Sequence, residues 1–95
     1  MSIAEKLLAN TDRGLDRGVF SRDLIDLAMM IDRWGAIPDL AWQRAEVAYG
    51  ASVRRVYQKT LLLLQNPTYR RECLQQMQMD VGMEGRILRA LGLPE

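Results

Sequence analysis

The sequence predicts an all-α fold, an irregular bundle of five to six helices with no sheet. Three observations carry that expectation. Apolar residues return at intervals of three and four along most of the chain. No segment alternates polar and apolar with period two, and aromatic residues are only 6% of the total. Ser, Asn, Gly and Pro stand where helices begin and end. Residues 1–95 read as a single helical domain, because no linker divides them and no repeat of about 20–50 residues appears. A chain of 95 residues can bury about 60–65% of its unfolded surface, which allows one modest core.

The first helix is expected from about Ser2 to Arg13. Ser2 and Glu5 have the spacing of a capping box, and Ile3, Ala4, Leu7, Leu8 and Thr11 share a face. Gly14 is the expected stop. The doubled Asp-Arg-Gly from Asp12 to Gly18 reads as a solvated loop, since glycine and aspartate both favour turns. Ser21 is expected to cap a second helix, with Asp23 in its first turn to suit the dipole. Its stripe is Leu24, Leu27, Ala28, Ile31 and Trp34, and Gly35 ends it.

Pro38 and Asp39 open a third helix with Leu40, Ala41, Ala45, Ala48 and Tyr49 on its apolar face. A fourth follows Gly50, from about Ala51 to Gln65, with Val53, Val56, Tyr57, Thr60, Leu61 and Leu64 inward. Leu62 and Leu63 widen that stripe almost all round, which predicts a central position. Asn66 caps and Pro67 starts a fifth helix that carries Tyr69, Cys73, Leu74 and Met77. Gly82 and Gly85 interrupt the chain before a short last helix with Ile87, Leu88 and Leu91, closed by Gly92 and Pro94.

Composition excludes more than it assigns. With 13 basic and 12 acidic residues the net charge is +1, so there is no basic nucleic-acid arm and no acidic tail. The absence of His removes serine–histidine and cysteine–histidine catalysis and the common zinc sites. Cys73 has no partner for an internal disulfide and reads as a small buried apolar residue in a reducing compartment. The first residues do not make a signal peptide, and apolar runs such as Leu61–Leu64 fall far short of the roughly 20 residues needed to cross a bilayer. A cytoplasmic protein without membrane association is expected.

The motifs are few. There is no P-loop and no dinucleotide-binding glycine pattern. Gly82-Met83-Glu84-Gly85 matches a GxxG string but lacks the strands of a KH domain. Met29, Met30, Met77, Met79 and Met83 could line an adaptable partner groove, with core filling as the plainer reading. Charge is unevenly placed: residues 1–50 hold 6 basic and 8 acidic groups, and residues 51–95 hold 7 and 4. Arg54, Arg55, Lys59, Arg70 and Arg71 form a candidate basic patch for a phosphate-rich ligand, with a solvated helix face as the plainer reading.

The acidic pair carries more. Asp23 and Asp26 are three apart and project from one side of the second helix. Two carboxylates so placed can hold a divalent cation, polarise a hydroxyl or accept an arginine fork. Asp26 interrupts Leu24-Ile25-Asp26-Leu27 beside the apolar stripe, where a carboxylate must find a partner or reach a cleft. Lys6 holds an analogous place on the polar edge of the first helix.

Glu5-Lys6-Leu7-Leu8-Ala9-Asn10, then Asp12-Arg13, then Ser21-Arg22-Asp23-Leu24-Ile25-Asp26-Leu27 resemble a late, helical segment of the AbiEii-type (abortive-infection) nucleotidyltransferase toxins. The resemblance is clearest over residues 3–34, and Ala41 to Gly50 adds a less specific stretch. It implies that Lys6 matches the family lysine that neutralises nucleotide phosphate, that the late catalytic aspartate falls at Asp23 or Asp26, and that Arg22 binds phosphate or fixes a carboxylate. The family's core carries a Gly-Ser or Gly-Gly-Thr element and an Asp-x-Asp pair for Mg²⁺ and nucleotide, and this sequence has neither.

The expectation is therefore a helical domain without that core, inactive alone, needing no cofactor by itself. Mg²⁺ and NTP would enter only with a core-bearing partner chain. The alternatives are a helical protein-interaction or homodimerisation module, and a nucleic-acid-binding helical domain. A bacterial toxin–antitoxin context is implied. The idea requires Lys6 to lie near Asp23 or Asp26.

Overall fold

The computed structural model describes residues 1–95. Six α-helices run in the order α1 (Ile3–Arg13), α2 (Arg22–Trp34), α3 (Asp39–Tyr49), α4 (Ser52–Gln65), α5 (Pro67–Gln76) and α6 (Glu84–Leu91), with no strand. Single 3-10 turns at Arg17–Val19 and Val81–Met83 precede α2 and α6. The radius of gyration is 12.4 Å, which is about what a packed chain of this length has.

Local chemistry sets most of the helix ends. Ser2 Oγ accepts the Glu5 N–H at 3.1 Å while the Ser2 N–H donates to Glu5 Oε1 at 3.0 Å, so both halves of the capping box are made. Asn66 Oδ1 accepts the Tyr69 N–H at 3.1 Å, with Pro67 in the first turn of α5. Gly35 (φ 95°) and Gly50 (φ 64°) turn the chain out of α2 and α3. Gly14 serves another need. A Cβ there would lie 2.4 Å from the Asn10 carbonyl oxygen and 2.6 Å from Thr60 Cγ2, so glycine is what lets α1 close on α4.

The apolar faces meet in two clusters. Leu24, Ile25, Ala28, Leu64, Tyr69, Cys73, Leu74, Ile87 and Leu91 form one, joining α2 to α4, α5 and α6. Leu7, Leu27, Ala45 and Val53 form the other, joining α1 and α3 to α2 and α4. Thus α2 and α4 belong to both. Asp32 of α2 also accepts from Arg86 of α6, Nη2 to Oδ2 at 2.6 Å. The methionines at 29, 77, 79 and 83 pack on the larger cluster and Met30 on the smaller, as gap filling requires. Cys73 is fully buried, and burial pushes its thiol up from the ordinary range.

Four local expectations need correction. Ser21 does not cap α2: its backbone is left-handed (φ 52°) and its hydroxyl lies 3.0 Å from that of Tyr69. Trp34 leaves the α2 stripe and is 66% exposed, because it is the last helical residue and the chain turns away at Gly35. Leu62 is 65% exposed, so α4 keeps a solvent face; α2, flanked by α1 and α6, is the more enclosed helix. On α3 only Ala45 is buried, while Leu40, Ala48 and Tyr49 are exposed. The small Ala45 gives close approach without a wide apolar stripe.

Candidate functional site

The site forms where α1 lies along the first turns of α2. On α1, Lys6 and Arg13 are seven residues apart, two helical turns, and so share a side. On α2, Asp23 and Asp26 are three apart and face them. Lys6 Nζ donates to Asp26 Oδ2 at 2.6 Å and to Asp23 Oδ1 at 3.2 Å. Arg13 grips Asp23 from the other side, with Nε 2.7 Å from Oδ2 and Nη2 3.1 Å from Oδ1. The arrangement is a chain of charges, Arg13–Asp23–Lys6–Asp26.

Its two carboxylates differ in environment. Asp23 is 1% exposed, and both of its oxygens are taken. Burial opposes its charge, but the hydrogen bonds from Arg13 and Lys6 outweigh that and hold its pKa below the usual value. Asp26 is 34% exposed, and only Oδ2 carries a protein hydrogen bond. The Lys6 side chain is 13% exposed, and burial works against its ammonium. Its bonds to Asp26 and then Asp23 reverse that and raise its pKa, so it stays charged at neutral pH.

Arg22 is exposed and, with Arg13, lines a surface cleft of about 400 Å³ that Phe20, Gln76 and Met77 complete. Arg13 was absent from the residues that sequence reasoning singled out for the site; its signal was the seven-residue spacing from Lys6. The doubled Asp-Arg-Gly was expected to be solvated loop, yet Arg13 ends α1 and pairs with a buried aspartate.

The candidate basic patch does not survive as a set. Arg70 is 8% exposed: its Nε donates to Glu84 Oε2 at 2.8 Å and its Nη1 to the Leu64 and Gln65 carbonyls at 2.9 and 3.3 Å. It closes the C-terminal end of α4 and ties α5 to α6, so it has left the surface. Arg71 leans on the same Glu84 carboxylate at 3.4 Å. Arg54 reaches Glu46 at 3.3 Å and stacks 4.4 Å above the Trp42 ring. Arg55 and Lys59 are exposed.

The residues do not fit a magnesium ion. No three carboxylate, thiol or imidazole groups converge, and ammonium and guanidinium groups already occupy three of the four carboxylate oxygens. What the arrangement offers is a positive charge held beside one accessible carboxylate oxygen, on a rigid two-helix support. No helix is long and apolar enough to cross a membrane.

No curated protein and no solved structure matches the chain. A family model does, over residues 1–89, and its description is the nucleotidyl transferase AbiEii toxin of a type IV toxin–antitoxin system. That match takes in α1 and α2 with their charges and nearly all of the helical body, and the chain belongs to the AbiEii family.

Proposed function

We propose that this chain supplies one wall of a nucleotidyl-transfer cleft and is inactive until a separate core, bearing the Asp-x-Asp pair, completes it. Lys6 would neutralise nucleotide phosphate, exchanging its aspartate partners for phosphate oxygens. Asp26 is the stronger candidate for the late catalytic carboxylate, because it combines accessibility with a free oxygen. It would orient the attacking hydroxyl and accept its proton. Asp23 is better suited to support, since Arg13 and Lys6 saturate it. Arg22, exposed at the neighbouring cleft, would take a second phosphate contact. Mg²⁺ and NTP would arrive with the core. The observation that carries this reading is the contact of Lys6 with Asp26 at 2.6 Å in a member of a nucleotidyltransferase family.

The test has two arms. The chain alone, incubated with labelled NTP, Mg²⁺ and total tRNA, should transfer no label; label that enters RNA and vanishes in Asp26→Ala would refute the need for a core. Affinity purification from the native host should bring down an Asp-x-Asp chain, and the mixture should label an acceptor. Asp26→Asn should then cut the rate by about 100-fold or more. A second reading, a protein-interaction module, draws on exposed Leu40 and Val47, which lie two turns apart on one side of α3. Sedimentation showing a stable dimer indifferent to nucleotide would favour it.

A further inference from the structure

Phe20 and Ser21 are consecutive non-glycine residues in the left-handed region, with φ of 57° and 52°, immediately before α2. L side chains leave that conformation unless something holds them there. The Ser21 carbonyl accepts the Ile25 N–H at 3.0 Å, so the residue is built into the first turn of the helix. Its hydroxyl makes no cap bond. It is buried and lies 3.0 Å from the Tyr69 hydroxyl, 48 residues away on α5.

Tyr69 is itself well anchored. Its N–H is capped by Asn66, its ring belongs to the larger core cluster, and the Arg17 guanidinium sits 4.9 Å over that ring. Burial raises the phenol above its ordinary pKa, so the hydroxyl keeps its proton near neutrality. Arg22, Asp23 and Asp26 follow Ser21 by one, two and five residues. Each helical residue rotates the helix by about 100°, and the backbone angles at 20 and 21 set how the chain enters the helix that carries these side chains.

We propose that Tyr69 is a positioning residue: its hydroxyl locks Ser21 in the left-handed turn and thereby aims the Asp23 and Asp26 carboxylates at Lys6 and Arg13. Its importance for function rests on the reading of Lys6 and Asp26 as reactive groups. Its test reads the geometry without any transfer assay, so the two can fail separately.

The experiment compares Tyr69→Phe, Ser21→Ala, Ser21→Gly and the Ser21→Gly/Tyr69→Phe double variant by carboxyl ¹³C titration of Asp23 and by the ε-methylene shift of Lys6. Lys59, the only other lysine and an exposed one, is the internal control. In Tyr69→Phe and Ser21→Ala the Asp23 midpoint should rise by about half a pH unit or more, and the Lys6 signal should move toward that of Lys59. In Ser21→Gly and in the double variant both signals should stay as in the parent, because glycine takes positive φ without a lock. Parent-like signals in Tyr69→Phe, or identical behaviour of alanine and glycine at 21, would overturn the proposal. Should Tyr69→Phe fail to fold, the alanine–glycine comparison decides.

Discussion

Asp23 and Asp26 are the same residue type on one helix, but their surroundings separate them. Asp23 is enclosed and saturated, so its removal is a stability event. Asp23→Ala should cost about 3 kcal/mol by chemical denaturation, since it empties an enclosed position and takes a carboxylate from Lys6 and Arg13 together. Asp26→Asn, at a position one-third exposed and with an amide oxygen left to accept from Lys6, should cost less than about 1 kcal/mol. The pH dependence follows from the same contacts. The folded pKa of Asp23 lies below 3.8, so its contribution is complete above that value and is lost as pH falls through the folded pKa. Lys6 lies above 10.5, so its contribution is complete below that and is lost as pH rises through its folded pKa. Stability measured across pH should fall at both ends, and Asp23→Asn should flatten the acid limb.

Helix contacts pose tests at the next scale. Gly14→Ala should destabilise by about 1–3 kcal/mol, because the added methyl meets backbone at Asn10 and the Thr60 methyl, and α1 has to move off α4. The same substitution in a free helix would be favourable, so the sign itself reports the close approach. Arg70→Ala should cost about 3 kcal/mol and expose the end of α4, since Glu84 loses its closer partner and two carbonyls lose their donor together. Amide exchange should rise most at Leu64 to Tyr69. Helix existence and most ends were legible from capping residues and glycines, because those act within four residues of themselves. The direction of Trp34, the exposure of Leu62 and the left-handed turn at Ser21 were not legible. The last two depend on which neighbour arrives from elsewhere in the chain, and Trp34 on how the chain turns at Gly35.

Across the whole molecule, α2 and α4 make the two clusters mutually dependent. Leu24→Ala and Leu27→Ala strike different clusters through adjacent turns of one helix. Each should cost about 2–5 kcal/mol. Far-UV dichroism and Trp42 fluorescence, read in a Trp34→Phe background, should still give one coincident transition; two transitions would mean that the clusters unfold separately.

Periodicity, caps and composition determined the all-helical class, the approximate helix ends and the exclusion of histidine chemistry, since each of these is set by residues close in sequence. They also placed Lys6, Asp23, Asp26 and Arg22 on the helices where they stand. Only the packing of α1 on α2 decided that Lys6 bridges both aspartates, that Arg13 joins them, and that Asp23 is enclosed while Asp26 keeps an open oxygen. Only the meeting of α4, α5 and α6 drew Arg70 inside. The reason is physical: the state of a charge depends on dielectric and partners within a few ångströms, and those partners lie 20 residues away in sequence for Lys6 and Asp26 and 54 for Asp32 and Arg86.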